Sequence, residues 1–229
     1  MITVYTTLFE QDKALGLPYS QHCEYGHNVR WLALTNLDNV TVPEPWIAQK
    51  IDETGLHPTL ERTRCKILSH RVLDNAGTVV WIDPAVILNC SPERLASYVD
   101  NDTPIAVGEF HADDCVYEAM HELAPNEKLQ AQMDYYRHKR YPENAGLSDT
   151  AVLVRRQTNS VKWLEWSWWL QVQTFSGLAW TSFDYSVWEL GMRDHVTDIP
   201  GTFVEGCMSR RFSIVEEASD GNSIAGSQA

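Results

Sequence analysis

An aspartate that directly follows an uninterrupted apolar run is the first residue of this chain whose type and place could do chemistry. Thr78-Val79-Val80-Trp81-Ile82 reads as a strand covered on both faces, and it stops at Asp83-Pro84, where proline cannot donate to a continuing ladder. In an open α/β sheet a residue at that point stands in the crevice at the carboxyl ends of the strands, where ligands bind. A carboxylate there suits a hard divalent cation, Mn or Mg, of the kind that neutralises a diphosphate leaving group. Taken alone, Asp83 reads more readily as an aspartate opening a turn before Pro84.

Other groups carry similar double readings. Glu109-Phe110-His111-Ala112-Asp113-Asp114 sets a histidine among carboxylates at the end of another apolar run, as a metal site, an acid/base group or a solvated loop would. Arg62, Arg64, Lys66, His70 and Arg71 form a basic group in an acidic chain, with Lys66 and His70 four apart on one helix face. Such a face could grip phosphates beside Asp83, or could be an ordinary solvated surface. Trp163, Trp166, Trp168 and Trp169 lie on one helical stretch, where Trp163, Trp166, Trp169 and Leu170 are expected on one side and Leu164 and Trp168 elsewhere. That side suits a core or subunit-contact face, with a homo-oligomer as the consequence, more than a sugar-stacking platform. Asp184, in Ser182-Phe183-Asp184-Tyr185, is either a helix N-cap or a site carboxylate.

The elements that must position these residues alternate strand and helix. Ile2–Phe9, Val29–Leu34, Thr78–Ile82, Ile105–Phe110 and a short Ala151–Val154 read as strands. Pro58–Ser69, a helix opened by Ser91-Pro92-Glu93, Val116–Arg137 interrupted near Pro125, Ser160–Phe175 and Asp184–Met192 read as helices. This alternation predicts an α/β sandwich, one domain over residues 1–215, with a central mixed, mostly parallel sheet flanked by helices. Residues 216–229, rich in Gly, Ser and Asp, read as a flexible tail.

Composition narrows the function classes. The chain has 229 residues, 44% of them hydrophobic, and 31 acidic against 18 basic side chains give a net charge of −13. So negative a surface repels nucleic acid and anionic lipid at long range, which disfavours broad polyanion binding. Its five cysteines are scattered without C-x-x-C spacing and read as reduced, buried thiols. The first residues, MITVYTTLFEQD, read as an immediate strand rather than a signal peptide, and no apolar run is long enough to span a bilayer, so a cytoplasmic protein is expected. Walker A, G-x-S-x-G, H-E-x-x-H and G-x-G-x-x-G patterns do not occur in the sequence.

Taken in order, several segments resemble the TOD1/MUCI70-type glycosyltransferase-like family. RTRCKILSHRVLDNAGTVVWIDPAVIL (Arg62 to Leu88) is similar to its K-x-L-x-H element leading into W-[VI]-D, and HADDCVYEA (His111 to Ala119) to its H…C-x-Y-E-A stretch. Tyr135 to Arg155 resembles the part that precedes the family's tryptophan helix, and the likeness extends from about Met1 to Trp188. The resemblance implies a GT-A-like fold that uses a nucleotide diphosphate sugar, with a divalent metal such as manganese. It makes Asp83 the counterpart of the aspartate in a reduced D-x-D motif, whose second carboxylate is replaced by Ala85. It further implies that Thr6, Thr7, Thr35 and Asn36 surround the nucleoside and that Arg64, Lys66 and His70 face the phosphates or sugar. Asp184 and His111 would contact donor sugar or acceptor as the catalytic pair, although the family's R-D-Q reads Phe183-Asp184-Tyr185 here.

The expectation is thus a hexosyl- or pentosyltransferase in a bacterial or phage setting, acting on a hydroxyl acceptor. A glycan is the leading acceptor; a hydroxymethylated DNA base is an alternative that the net charge of −13 disfavours. Rival readings are a non-catalytic carbohydrate-binding protein and an NDP-sugar hydrolase or nucleotidyltransferase.

Overall fold

The computed structural model describes residues 1–9, 17, 28–52, 54–74, 77–109, 115–123, 126–205 and 210–214. Four β-branched and aromatic runs pair in parallel: β1 (Ile2–Thr7), β2 (Val29–Thr35), β3 (Trp46–Lys50) and β4 (Thr78–Ile82), ordered β3-β2-β1-β4. β5 (Val86–Leu88) leaves this sheet just after Asp83. Beyond β4 the sheet continues as β7 (Ser148–Arg156), β6 (Ile105–Glu109) and β8 (Val196–Ile199). β7 is antiparallel to both β4 and β6, and β8 is parallel to β6. A small second sheet joins β5 to β10 (Arg210–Ile214) and β9 (Gly201–Glu205). The mixed, mostly parallel sheet flanked by helices is the expected α/β, GT-A-like architecture.

Side chains alternate along the central strands, and each face carries its own apolar layer. Tyr5, Leu32, Trp81 and Leu153 meet Leu164 and Trp168 of α6 (Asn159–Thr174) and Phe183 of α7 (Trp180–Glu189). Val4, Trp31, Val80 and Val152, on the other face, meet Leu95 of α3 (Pro92–Ala96). A third cluster lies between α4 (Val116–His121), α5 (Glu127–His138) and α7, where Tyr136 and Tyr185 stack at 3.9 Å. Ser91, Asn126 and Thr158 cap α3, α5 and α6 by accepting a backbone N–H, as their types favour. No helix among the described residues is long and apolar enough to cross a membrane.

Three expectations change. The strand expected over Ala151–Val154 runs from Ser148 to Arg156, because its polar first residues face a cleft rather than a loop. Asp184 sits inside α7, four residues past its start, so the N-cap reading is overturned. On α6 the inward stripe is Val161, Leu164, Trp168 and Val172, with Trp169 also covered; Trp163, Trp166 and Leu170 face outward at 71%, 43% and 61% exposure. Trp168 is thus on the face from which the helical projection excluded it. Cys65, Cys90 and Cys115 are buried and reduced. The 216–229 tail lies outside the described residues.

Candidate active site

β4 ends as expected at the crevice. The Asp83 N–H still reaches Ala151 O at 2.8 Å, the Asp83 carbonyl accepts Val86 N–H at 2.8 Å, and its Oδ1 accepts Ala85 N–H at 3.3 Å. The aspartate therefore makes a turn and also lines a cleft of about 550 Å³. Its turn geometry and its place on the cleft are compatible.

Antiparallel β7 supplies the opposite wall. Since it runs against β4, its first residues, Ser148-Asp149-Thr150, lie where β4 ends, and all three line the same cleft. Pairing between β6 and β7 jumps from Val107↔Leu153 to Gly108↔Asp149, an irregularity of the kind that re-aims side chains beside functional sites. Asp149 is 7% exposed and its Oδ1 accepts Ala151 N–H at 2.8 Å. Asp149 thus puts a second carboxylate on the cleft that Asp83 lines, whereas position 85 is alanine.

The cation of the cleft is Lys66, in the last turn of α1 (Pro58–Ile67). Its Nζ donates to Thr150 Oγ1 at 2.8 Å. Burial pushes the ammonium down to about 8, against the opposing pull of Asp83 and Asp149. The end of α1 is held from behind: Arg155 donates to the carbonyls of Lys66 and Ile67 at 2.8 and 2.7 Å, and Tyr5 OH donates to Lys66 O at 3.0 Å. These bonds satisfy carbonyls that a helix terminus leaves open. Glu165 pairs with Arg155 at 2.8 Å; burial alone would raise this acid, but Arg155, His70 and Ser69 hold it below the usual carboxylate range.

The remaining wall is mixed. Ala119, Leu123, Leu147 and Trp180 give it an apolar side, and the exposed carboxylate of Glu122 stands at its rim.

Among the expected site residues that the structure describes, only Asp83 and Lys66 line this cleft. Arg64 is tied to Glu61, its Nε donating at 2.6 Å, and His70 pairs with Glu165, whose Oε2 also accepts the His70 N–H at 3.3 Å. Thr35 Oγ1 donates to Leu8 O at 2.6 Å and accepts Leu37 N–H at 3.1 Å, which fixes the turn after β2. Asn36 lines a separate cavity of about 160 Å³ with Phe9 and Glu61. Thr6 and Thr7 are buried at the carboxyl end of β1 (Ile2–Thr7), and neither hydroxyl has a partner among the described residues. His111 lies outside the described residues.

Asp184 stands behind the wall. Its two oxygens accept from Ser148, Oδ2 from the N–H at 2.8 Å and Oδ1 from the hydroxyl at 2.7 Å. Burial pushes it up to about 6, with the Ser148 bonds pulling the other way. It does not itself line the cleft.

The donor set bears on a divalent cation. No three His, Cys, Asp or Glu groups among the described residues gather closely enough to hold one alone. Asp83 and Asp149 together offer hard oxygens on one cleft, which fits a cation shared with a ligand's phosphate oxygens and water.

Sequence and fold comparisons agree with this architecture. A family model described as TOD1/MUCI70, glycosyltransferase-like domain, matches residues 60–215. No curated protein matches the sequence. The fold is similar to that of WbbM, a bifunctional glycosyltransferase solved in its apo form, with a TM-score of 0.60 and 11% identity over 87% of this chain and 38% of that one. It is also similar to mouse xyloside xylosyltransferase 1, again in the apo form, with a TM-score of 0.51 and 8% identity over 86% and 83% of the two chains. This chain thus spans well under half of the WbbM chain. Identities this low speak to the fold alone, and the fold they share is GT-A-like.

Proposed function

The chain belongs to the TOD1/MUCI70 glycosyltransferase-like family, and on that premise we propose that it moves a sugar from a nucleotide diphosphate sugar to the hydroxyl of a glycan, in the cleft beside Asp83. The observation that carries this reading is the convergence of Asp83, Asp149 and Lys66, from three separate elements, on one cavity at the carboxyl end of β4.

In this reading the donor diphosphate lies against Lys66, whose ammonium offsets charge as the bond from sugar to diphosphate breaks. Asp83 and Asp149 would hold a divalent cation, which when bound neutralises the same leaving group. Thr150 orients Lys66 by accepting its Nζ–H. Thr6 and Thr7, whose buried hydroxyls at the end of β1 have no partner among the described residues, are the candidates to bond the nucleoside. The acceptor enters over Leu123 and Trp180, and Glu122 takes the proton of its hydroxyl as the new glycosidic bond forms. Asp184 acts as a positioning residue, by fixing Ser148.

The direct experiment is a screen of nucleotide sugars for hydrolysis and transfer, with and without Mn, on wild type and Asp83→Ala. Expected is metal-stimulated turnover of at least one donor that the substitution abolishes. A protein that turns over no donor, or an Asp83→Ala variant that keeps glycan affinity and never had turnover, would belong to the non-catalytic carbohydrate-binding class instead.

A further inference from the structure

A second groove lies where α2 (Ser69–Val72) meets the first half of α6. It measures about 390 Å³, is lined by His70, Arg71, Asn159, Lys162, Trp163 and Trp166, and shares no residue with the donor cleft. Exposure of its two indoles is not forced by a lack of inner positions. Val161, Leu164, Trp168 and Val172 already fill the buried face of the same helix, yet Trp163 stays 71% exposed and Trp166 43%.

The groove is also held in shape. His70 packs edge-on against Trp166 at 5.8 Å, and the Arg71 guanidinium lies over the same ring at 5.7 Å. His70 is fixed by Glu165, which itself accepts from Ser69 Oγ at 2.5 Å and from Arg155 at 2.8 Å. A ligand landing here meets His70, Arg71 and Trp166 already packed against one another, which lowers the entropic cost of binding.

Its chemistry differs from that of the rest of the surface. Among the described residues the polar lining consists of two cations, an imidazole and an amide, with no carboxylate, in a chain of net charge −13. Flat indole faces take the apolar face of a sugar ring, Asn159 suits hydroxyls, and Lys162 and Arg71 suit a carboxylate or sulfate on the sugar. A second copy of this chain is a poor fit, because an isologous contact would set the same cationic rim against itself. Nucleic acid fits poorly too, since two or three cations neutralise few phosphates against so large an opposing charge.

We propose that the Trp163–Trp166 groove is a carbohydrate subsite for an acidic saccharide, separate from the donor cleft. The proposal does not depend on transferase activity.

The test uses the full chain and tetrasaccharides of hyaluronan and of chondroitin sulfate, with cellotetraose as the uncharged control and a short thymidine oligonucleotide as a competitor class. Binding is read by calorimetry and by quenching of tryptophan fluorescence. Expected is binding of at least one acidic tetrasaccharide, weakened about tenfold or more in Trp163→Ala and several-fold in Lys162→Gln, and weaker at high salt. Trp163 is largely exposed, so an unchanged melting temperature in Trp163→Ala excludes misfolding as the cause. Binding of neither acidic tetrasaccharide overturns the proposal, as does binding that Trp163→Ala leaves intact. A Trp163-dependent affinity for the oligonucleotide alone, or a dimer in sedimentation that Trp163→Ala dissociates, would reassign the groove to nucleic acid or to self-association. Retained turnover in a variant that has lost saccharide binding separates failure of this subsite from failure of the donor site.

Discussion

Lys66 and Arg64 show how little residue type decides without position. Both are basic residues in the last turn of α1, two apart, and so on different sides of the helix. Arg64 is consumed by Glu61, whereas Lys66 reaches Thr150 inside the cleft that Asp83 and Asp149 share. On the proposed reading, a buried ammonium beside the departing diphosphate acts in a medium where charge is poorly screened, so its removal should be felt mainly in the chemical step. Lys66→Met is expected to lower kcat by about 10²–10³ on whichever donor turns over, the loss typical when one preorganised donor is deleted. Arg64→Met should leave kcat within a few-fold and act through α1 stability, by about 3 kcal/mol, because it leaves the buried Glu61 carboxylate without its cation. Steady-state kinetics on the two variants check this, and equal losses in both would remove Lys66 from its special place. Asp149→Asn should resemble Asp83→Asn in its effect on metal dependence, because the two carboxylates face one cavity.

At the scale of elements, β4 was legible because five consecutive residues carry no polar interruption, and its end therefore located Asp83. β7 was half legible. Val152, Leu153 and Val154 read as a strand, but Ser148-Asp149-Thr150 look like a loop to any argument based on hydrophobicity, since they are polar for the sake of the cleft. Asp149 was therefore missed, and only the antiparallel direction of β7, which sequence does not reveal, brings it to Asp83. β3 was missed because Trp46–Lys50 is short, half exposed and preceded by two prolines. The tryptophan helix was misread in orientation because apolar residues occur on both its faces, so periodicity alone could not say which side is inside. Its two faces predict different costs. Trp168→Ala, which removes a 1% exposed indole whose Nε1 bonds Ala179 O at 2.7 Å, should cost about 3–5 kcal/mol in urea unfolding. Trp163→Ala should stay within about 0.5 kcal/mol. The element that backs the site, α7, adds a pH signature through Asp184, which burial raises from 3.8 to about 6. An acid raised on folding binds its proton more tightly in the native state, so its contribution is complete below about pH 3.8 and is lost as pH climbs through about 6. Relative to Asp184→Asn, wild type should therefore lose about 3 kcal/mol of stability across that window. Parallel curves for the two proteins would show that Asp184 is not so perturbed.

For the molecule as a whole, charge and cleft architecture bear on which ligands it can accept. With −13 overall, a duplex DNA acceptor meets long-range repulsion that one buried lysine in the cleft cannot offset. Hydroxymethylated duplex should accordingly show no retention even at low salt, which would leave the proposed glycan as the acceptor to test. A nucleoside diphosphate is a different case, because its charge is met locally rather than at long range. The cleft draws its walls from α1, the turn after β4, α4, the start of β7 and the start of α7, so a ligand filling it ties together parts that unfolding separates. Binding only to the native state at about 100 times Kd adds about 2.7 kcal/mol. In a chain of this size each kcal/mol raises Tm by about 2–4 °C, so a shift of roughly 5–10 °C is expected with at least one nucleoside diphosphate in the presence of Mn. Asp83→Asn and Asp149→Asn should keep the melting temperature of the unliganded protein but lose the Mn-dependent share of the shift, because both carboxylates line the cavity and neither is the sole support of its wall. Thermal melts of the three proteins with each common nucleoside diphosphate, with and without Mn, decide the matter. No shift with any of them, or a full Mn-dependent shift surviving in both variants, would move the donor site away from this cleft.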